Sequence, residues 1–172
     1  MRFKNIMLLL FTGLILLSGC TPYNMLDDEG KITYVLNKYK NYIRKDKMED
    51  AYSLLTFVHH PERDNFEMFK LAQGLINRNY KKVEYEINEI NIDENVASVK
   101  VDIIFVPPTK DRPHIKVESQ MFFYKPDNSE IWFLVSGNQD SRMLFIQKIS
   151  DKFPLIEDKT LYLKDGSWVE EL

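Results

Sequence analysis

The stretch Ala97-Ser98-Val99-Lys100-Val101-Asp102-Ile103-Ile104-Phe105 decides the fold. Ala97, Val99, Val101, Ile103 and Phe105 alternate with Ser98, Lys100 and Asp102, the period of two that turns one face of a strand to a core and the other to water. Downstream, Ile115, Val117, Ser119, Met121 and Phe123 alternate with Lys116, Glu118 and Gln120, and Pro126-Asp127-Asn128 turns the chain into a strand over residues 131–135. Upstream, Val83, Tyr85 and Ile87 alternate with Glu84 and Glu86. The parity then slips to Ile90 and Ile92, which predicts a bulge near Asn88 or Glu89. Asp93-Glu94-Asn95 makes a short turn, and Pro107, Pro108 and Pro113 bracket a loop. Connections this short predict an antiparallel meander of about four strands.

Before the meander the period is helical. Ile32, Val35, Leu36, Tyr39 and Ile43 form the stripe of an amphipathic helix over residues 31–44. Asp46 with Glu49 reads as a capping box for a second helix on Met48, Ala51, Tyr52, Leu55 and Val58, which Pro61 stops. Asp64 with Glu67 repeats the pattern ahead of Phe66, Phe69, Ala72, Leu75 and Ile76, a third helix ending near Asn77 to Asn79. In the C-terminal part, residues 140–153 fit a helix on Met143, Ile146, Ile149 and Phe153. Residues 161–169 fit a hairpin turned at Asp165-Gly166. The expected class is α+β: three N-terminal helices packed on a curved antiparallel sheet in a domain over 31–137, with a C-terminal extension over 138–172 packing on that same domain.

The remaining N-terminal residues read differently. Arg2 and Lys4 precede an apolar run over residues 6–17, broken only by Thr12 and Gly13. That run is shorter than the roughly 20 residues a helix needs to cross a bilayer, and matches an export signal. It closes on Leu17-Ser18-Gly19-Cys20, which resembles the lipobox of bacterial lipoproteins, and Cys20 is the only cysteine. The resemblance implies that residues 1–19 are a signal peptide and that Cys20 receives a diacylglyceryl thioether and further acyl chains such as palmitate. The implied place is the cell envelope, on the extracytoplasmic side of a membrane that is also the implied partner. Two or three acyl chains make a stable anchor where one is marginal. The other readings, an uncleaved anchor or an ordinary secreted chain, leave a free thiol outside the cytoplasm. Residues 20–30, with Pro22, Asp27, Asp28, Glu29 and Gly30, read as the lipidated cysteine and a polar tether spanning roughly 15–20 Å.

Removing the first 19 of 172 residues leaves 153 and takes the formal charge from −3 to −5. An acidic body argues against nucleic acid as a partner. With Cys20 acylated no disulfide forms, so the fold rests on packing.

Residues 33–136 resemble the small lipoproteins of the nuclear transport factor two-like superfamily, with a cone-shaped, cystatin-like fold. The resemblance is carried by Val35-Leu36-Asn37-Lys38-Tyr39, by the run Lys45-Asp46-Lys47-Met48-Glu49-Asp50-Ala51-Tyr52-Ser53-Leu54-Leu55, by Phe66 and Phe69, and by a strand opening at Val83. It implies a fold and no single activity, because this superfamily hosts isomerases, dehydratases, transport factors and domains without chemistry.

Enzymes of this fold work inside the cone. Of the strand residues expected to face inward only Ser119 is polar, and no inward strand position carries the Asp base that the isomerase branch uses. Glu84, Glu86, Asp102 and Glu118 share the other parity with Lys100 and Lys116, as cross-strand pairs on a solvated face. His59, His60 and Glu62 form a compact group with metal or acid-base potential. Adjacent histidines do not share a helix face, however, and cations at a helix end also complement its dipole. No cofactor or metal site is expected. Tyr39, Tyr52, Phe66 and Phe69 are candidates to line a pocket or to be core. Phe122, Tyr124, Trp132 and Leu134 fall on the parity opposite the expected core, as a partner surface or as a patch covered by Met143, Phe145, Ile149 and Phe153. The reading is therefore a membrane-anchored, non-catalytic binding or accessory module. Its alternatives are a protein holding a small apolar ligand in the cone, or an enzyme using His59 or His60.

Overall fold

Asp27 opens the first helix: its side chain accepts the backbone N–H of Gly30 at 2.8 Å, and Asp28 and Glu29 place negative charge on the first turn. A Cβ at position 30 would come within 2.9 Å of the Asp27 carboxylate, so a larger residue there would displace the cap. The computed structural model describes residues 22–56, 66–136, 145, 147, 149 and 151–170. Helix α1 is Asp28–Arg44, α2 is Met48–Tyr52 and α3 is Phe66–Asn79. The strands are β1 Leu55–Thr56, β2 Lys82–Asp93, β3 Val96–Val106, β4 Ile115–Tyr124, β5 Phe133–Val135, β6 Lys159–Lys164 and β7 Ser167–Val169. The architecture is α+β, three helices with a mixed, curved sheet of seven strands in place of the four expected.

The sheet order is β1-β5-β4-β3-β2, with β6 also on β4 and β7 on β6. β2, β3 and β4 form the antiparallel meander read from the alternation, and the β2–β3 register shifts between Ile87 and Glu89, at the expected bulge. The C-terminal hairpin turns at Asp165 and Gly166, both at positive φ, which the two-residue turn requires. The additional strands come from two places. Leu55 and Thr56 pair in parallel with Leu134 and Val135, and β6 adds to the outer edge of β4.

Ile32, Val35, Leu36, Tyr39 and Ile43, the whole α1 stripe, are buried with Met48, Ala51, Ala97, Val99, Val101, Phe123, Trp132 and Leu134 in one core. A second cluster lies on the other face of the sheet, where Phe145, Ile149 and Phe153 cover Val96 and Phe122, with Tyr124 packed alongside.

Several expectations are corrected. The tether expected over 20–30 is ordered from Pro22: Tyr23–Met25 is a 3₁₀ turn, Tyr23 packs on the core, and α1 already starts at Asp28. Asp46 does not cap α2. It sits at φ 56° in the turn after α1, and α2 ends at Tyr52, where the chain becomes strand β1. Leu75 of α3 is 50% exposed and Ala72 is also exposed, so α3 packs Phe66 and Phe69 on the core without burying any residue completely. Val58, Pro61, Asp64, Met143 and Ile146 lie outside the described residues, as do the signal segment and Cys20.

Candidate functional site

β4 has two partners along its outer edge. β6 pairs with residues 115–118 and β5 with Phe123 and Tyr124, leaving a notch at residues 119–122. The segment before β6 crosses the sheet edge at this notch. On one face Gln120 clamps it: Nε2 donates to the Pro154 carbonyl at 3.1 Å and Oε1 accepts the Ile156 N–H at 3.1 Å. Gln120 Nε2 also donates to Ser98 Oγ at 2.7 Å, so both of these polar residues, expected on a solvated face, are buried. Two residues on, Asp158 has reached the opposite face, where Ser119 Oγ donates to its Oδ1 at 2.6 Å.

Behind Ser119 and Asp158 lies a cavity of about 320 Å³, at the lower end of the roughly 300–1,000 Å³ typical of small-molecule sites. Its walls include Ile103, Phe105, Val117, Met121 and Leu134, with Tyr39 of α1, and Ser136 stands with Asp158 among its polar groups. The alternation that makes β3 and β4 strands therefore also supplies the apolar wall. Tyr39 is buried, which pushes its phenol well above the ordinary range, reinforced by the neighbouring Tyr85. Burial likewise raises the Tyr85 phenol to about 12. Gln73 of α3 donates to the Tyr39 oxygen at 3.4 Å. Both phenols stay neutral at physiological pH, hydrogen-bonding groups in place of bases.

Of the four aromatics expected to line a pocket, Tyr39 does so. Tyr52, Phe66 and Phe69 pack on one another, with ring centroids 5.1–6.5 Å apart, against the core. Phe66 additionally borders a separate groove between α2 and α3.

The expected partner surface is corrected. Phe122, Trp132 and Leu134 are buried and Tyr124 is half-buried. Leu134 stands opposite Phe123, and directly opposed residues share a face, so Leu134 and Trp132 point into the main core. Phe122 and Tyr124 do lie on the other face, where Phe145 meets both rings at 6.2 and 6.4 Å. The C-terminal segment covers that patch, the second of the two readings given for it.

The charged outer face is organised as pairs. Lys116 Nζ contacts Asp102 at 3.2 Å and Glu118 at 2.9 Å, and Asn88 donates to the other Asp102 oxygen. Lys116 also lies over the Trp168 ring of β7. The hydrogen bond it donates to Glu118, aided by Asp102, holds its ammonium above the ordinary lysine value despite burial. Lys100 pairs with Glu89 and Lys82 with Glu84. These carboxylates have structural partners.

His59, His60 and Glu62 lie outside the described residues. Among the described residues no group of three His, Cys, Asp or Glu is placed to hold a metal, and no helix is long and apolar enough to cross a membrane. Asp158 is the residue the sequence reading missed. No periodicity surrounds it, and its only local signal is an acid just before a strand.

No family model matches the chain. No curated protein matches it either. Solved structures do. A conserved protein from Planctomyces limnophilus is similar at 20% identity and TM-score 0.48, over 63% of this chain and 94% of that one. A chain named Rd1NTF2 is similar at 8% identity and TM-score 0.47, over 63% and 95%. An LEH-like epoxide hydrolase from M. tuberculosis is similar at 9% identity and TM-score 0.39, over 67% and 93%.

Proposed function

We propose that the protein is a lipid-anchored, extracytoplasmic module of the nuclear transport factor two-like type that holds a small, largely apolar ligand without transforming it. The observation that carries this reading is the cavity between α1 and the sheet, whose wall is shared about equally between apolar side chains and polar groups that include Ser119, Ser136 and Asp158. An apolar pocket with a few convergent polar groups is the usual form of a small-molecule site. The burial of Phe122, Trp132 and Leu134 moves the weight from a protein-partner surface to this pocket. A non-catalytic role is supported by the pairing of its polar groups. Ser119 donates to Asp158 directly, whereas an activated hydroxyl nucleophile is generally served by an adjacent base that a third group orients. Anchoring rests on Leu17-Ser18-Gly19-Cys20 and the apolar run before it.

Native mass spectrometry tests both parts on protein gently released from membranes. The N-terminal peptide should begin at an acylated Cys20, and part of the protein should carry a bound small molecule. That species should vanish in Val117→Trp, whose indole fills the cavity. A chain still beginning at Met1, or with an unmodified Cys20, refutes the anchor. Ligand-free mass alone in both proteins refutes the pocket.

A further inference from the structure

The cavity's polar end has a definite sign. Asp158 accepts from Ser119 through Oδ1, and no described lysine, arginine or histidine forms an ion pair with it; the nearby Lys159 is engaged by Glu170. Among the described residues lining the cavity, Asp158 is the only charged one. The Ser119 hydroxyl is buried and spent on orienting that carboxylate, so it offers its second partner no proton. Asp158 is solvent-exposed, and its second oxygen remains an acceptor at the edge of a wall that includes Ile103, Phe105, Val117 and Met121. Such an end repels an anionic head, and a neutral hydroxyl can donate to the carboxylate without the attraction of opposite charges. A cationic donor gains a charge-assisted bond.

We propose that the ligand is a small cationic amphiphile, an aliphatic or aromatic body in the cavity with an ammonium head hydrogen-bonded to Asp158. This deepens the pocket reading above and rests on it. Asp158 is then the residue that sets head-group specificity, and Ser119 positions it. The crossing of residues 154–158 through the β4 notch is what delivers the charge: Gln120 fixes the segment on one face so that Asp158 emerges on the other.

The test uses three probes with one hydrocarbon body, octylammonium, octanol and octanoate, titrated by calorimetry into the full-length protein and into Asp158→Asn. Asparagine keeps the shape and still accepts from Ser119 but removes the charge. The wild type should bind octylammonium about fivefold more tightly than octanol, the upper scale of an ion pair at an exposed carboxylate, and octanoate most weakly. In Asp158→Asn that preference should disappear while octanol binding stays, and in the wild type it should shrink as salt is raised. Ser119→Ala should lower the ammonium-to-alcohol ratio without abolishing octanol binding, a change in selectivity that a purely structural hydroxyl would not produce. Equal binding of all three probes, or a preference unchanged in Asp158→Asn, overturns the head-group proposal and leaves the pocket standing. Failure of every probe to bind overturns the pocket reading and this inference with it.

Discussion

Replacing Asp28 with alanine should destabilise the protein by about 3 kcal/mol. Asp28 accepts the indole N–H of Trp132 at 3.0 Å and the Lys125 ammonium at 3.0 Å, and it lies on the first turn of α1. Trp132 is fully buried, so its N–H has no water to turn to when the acceptor is lost. A hydrogen bond to a charged acceptor contributes about 1.5–3 kcal/mol. Negative charge at a helix N-terminus adds about 0.3–1 kcal/mol. The Lys125 pair is mostly shielded on the lysine side, but a third of the Asp28 side chain is in solvent, so it adds only about 0.5 kcal/mol. Urea unfolding at neutral pH measures the loss. A double-mutant cycle with Trp132→Phe should return a coupling of about 1.5 kcal/mol, since the two groups are in contact. The pH dependence gives a second arm. The bond from Trp132, with Lys125, holds the Asp28 carboxyl below its ordinary value of 3.8. A depressed folded-state pKa means the stabilisation is complete above that ordinary value and is lost as pH falls through the folded one. Wild type should therefore lose stability in acid more steeply than Asp28→Ala. A destabilisation under about 0.5 kcal/mol, or parallel acid limbs, would refute the assignment of this network as the lock between the N-terminal segment and the β4–β5 turn.

Three further outcomes follow from the packing. Phe153→Ala should cost about 3–4 kcal/mol and increase binding of an apolar dye, because Phe153 is part of the cover over Phe122; a loss below about 1 kcal/mol in thermal unfolding would count against that cover. Gly166→Ala should cost about 1 kcal/mol in urea unfolding, purely from its φ of 81°, since a Cβ there meets nothing within 4 Å; a neutral result would mean the hairpin does not contribute to the unfolding transition. Tyr39 and Tyr85 ionise above the ordinary tyrosine value of 10.0 in the folded state, so their stabilisation is whole below that pH and is lost as pH rises beyond it. Tyrosinate absorbance should show a resistant fraction that appears only when the protein unfolds, and Tyr39→Phe with Tyr85→Phe should lower that fraction by two tyrosines.

What the sequence makes legible is whatever is local. The alternation in β2, β3 and β4 reports its own geometry, because each strand pairs with its neighbour through a short turn, and even the bulge after Ile87 shows as a slip in parity. The α1 stripe is local in the same sense, although its start is hidden: Asp27, Asp28, Glu29 and Gly30 resemble a polar tether in composition while carrying the N-cap and first-turn charges of a helix. What fails is parity carried across a connection. Trp132 and Leu134 were expected on the face of Phe122 and Tyr124, yet a turn resets the register, and a shift of one residue moves a whole strand to the other face. The pairing of Leu134 with Phe123 decides it, and no local pattern encodes that pairing. The parallel contact of Leu55 with Leu134 and the crossing that brings Asp158 to Ser119 are non-local in the same way. A cavity wall that alternation alone presents as apolar except for Ser119 thus gains an exposed carboxylate from a distant segment. The site's chemistry is set by the part of the chain with the weakest pattern, and Asp158→Asn is the substitution that separates the cavity's shape from its charge.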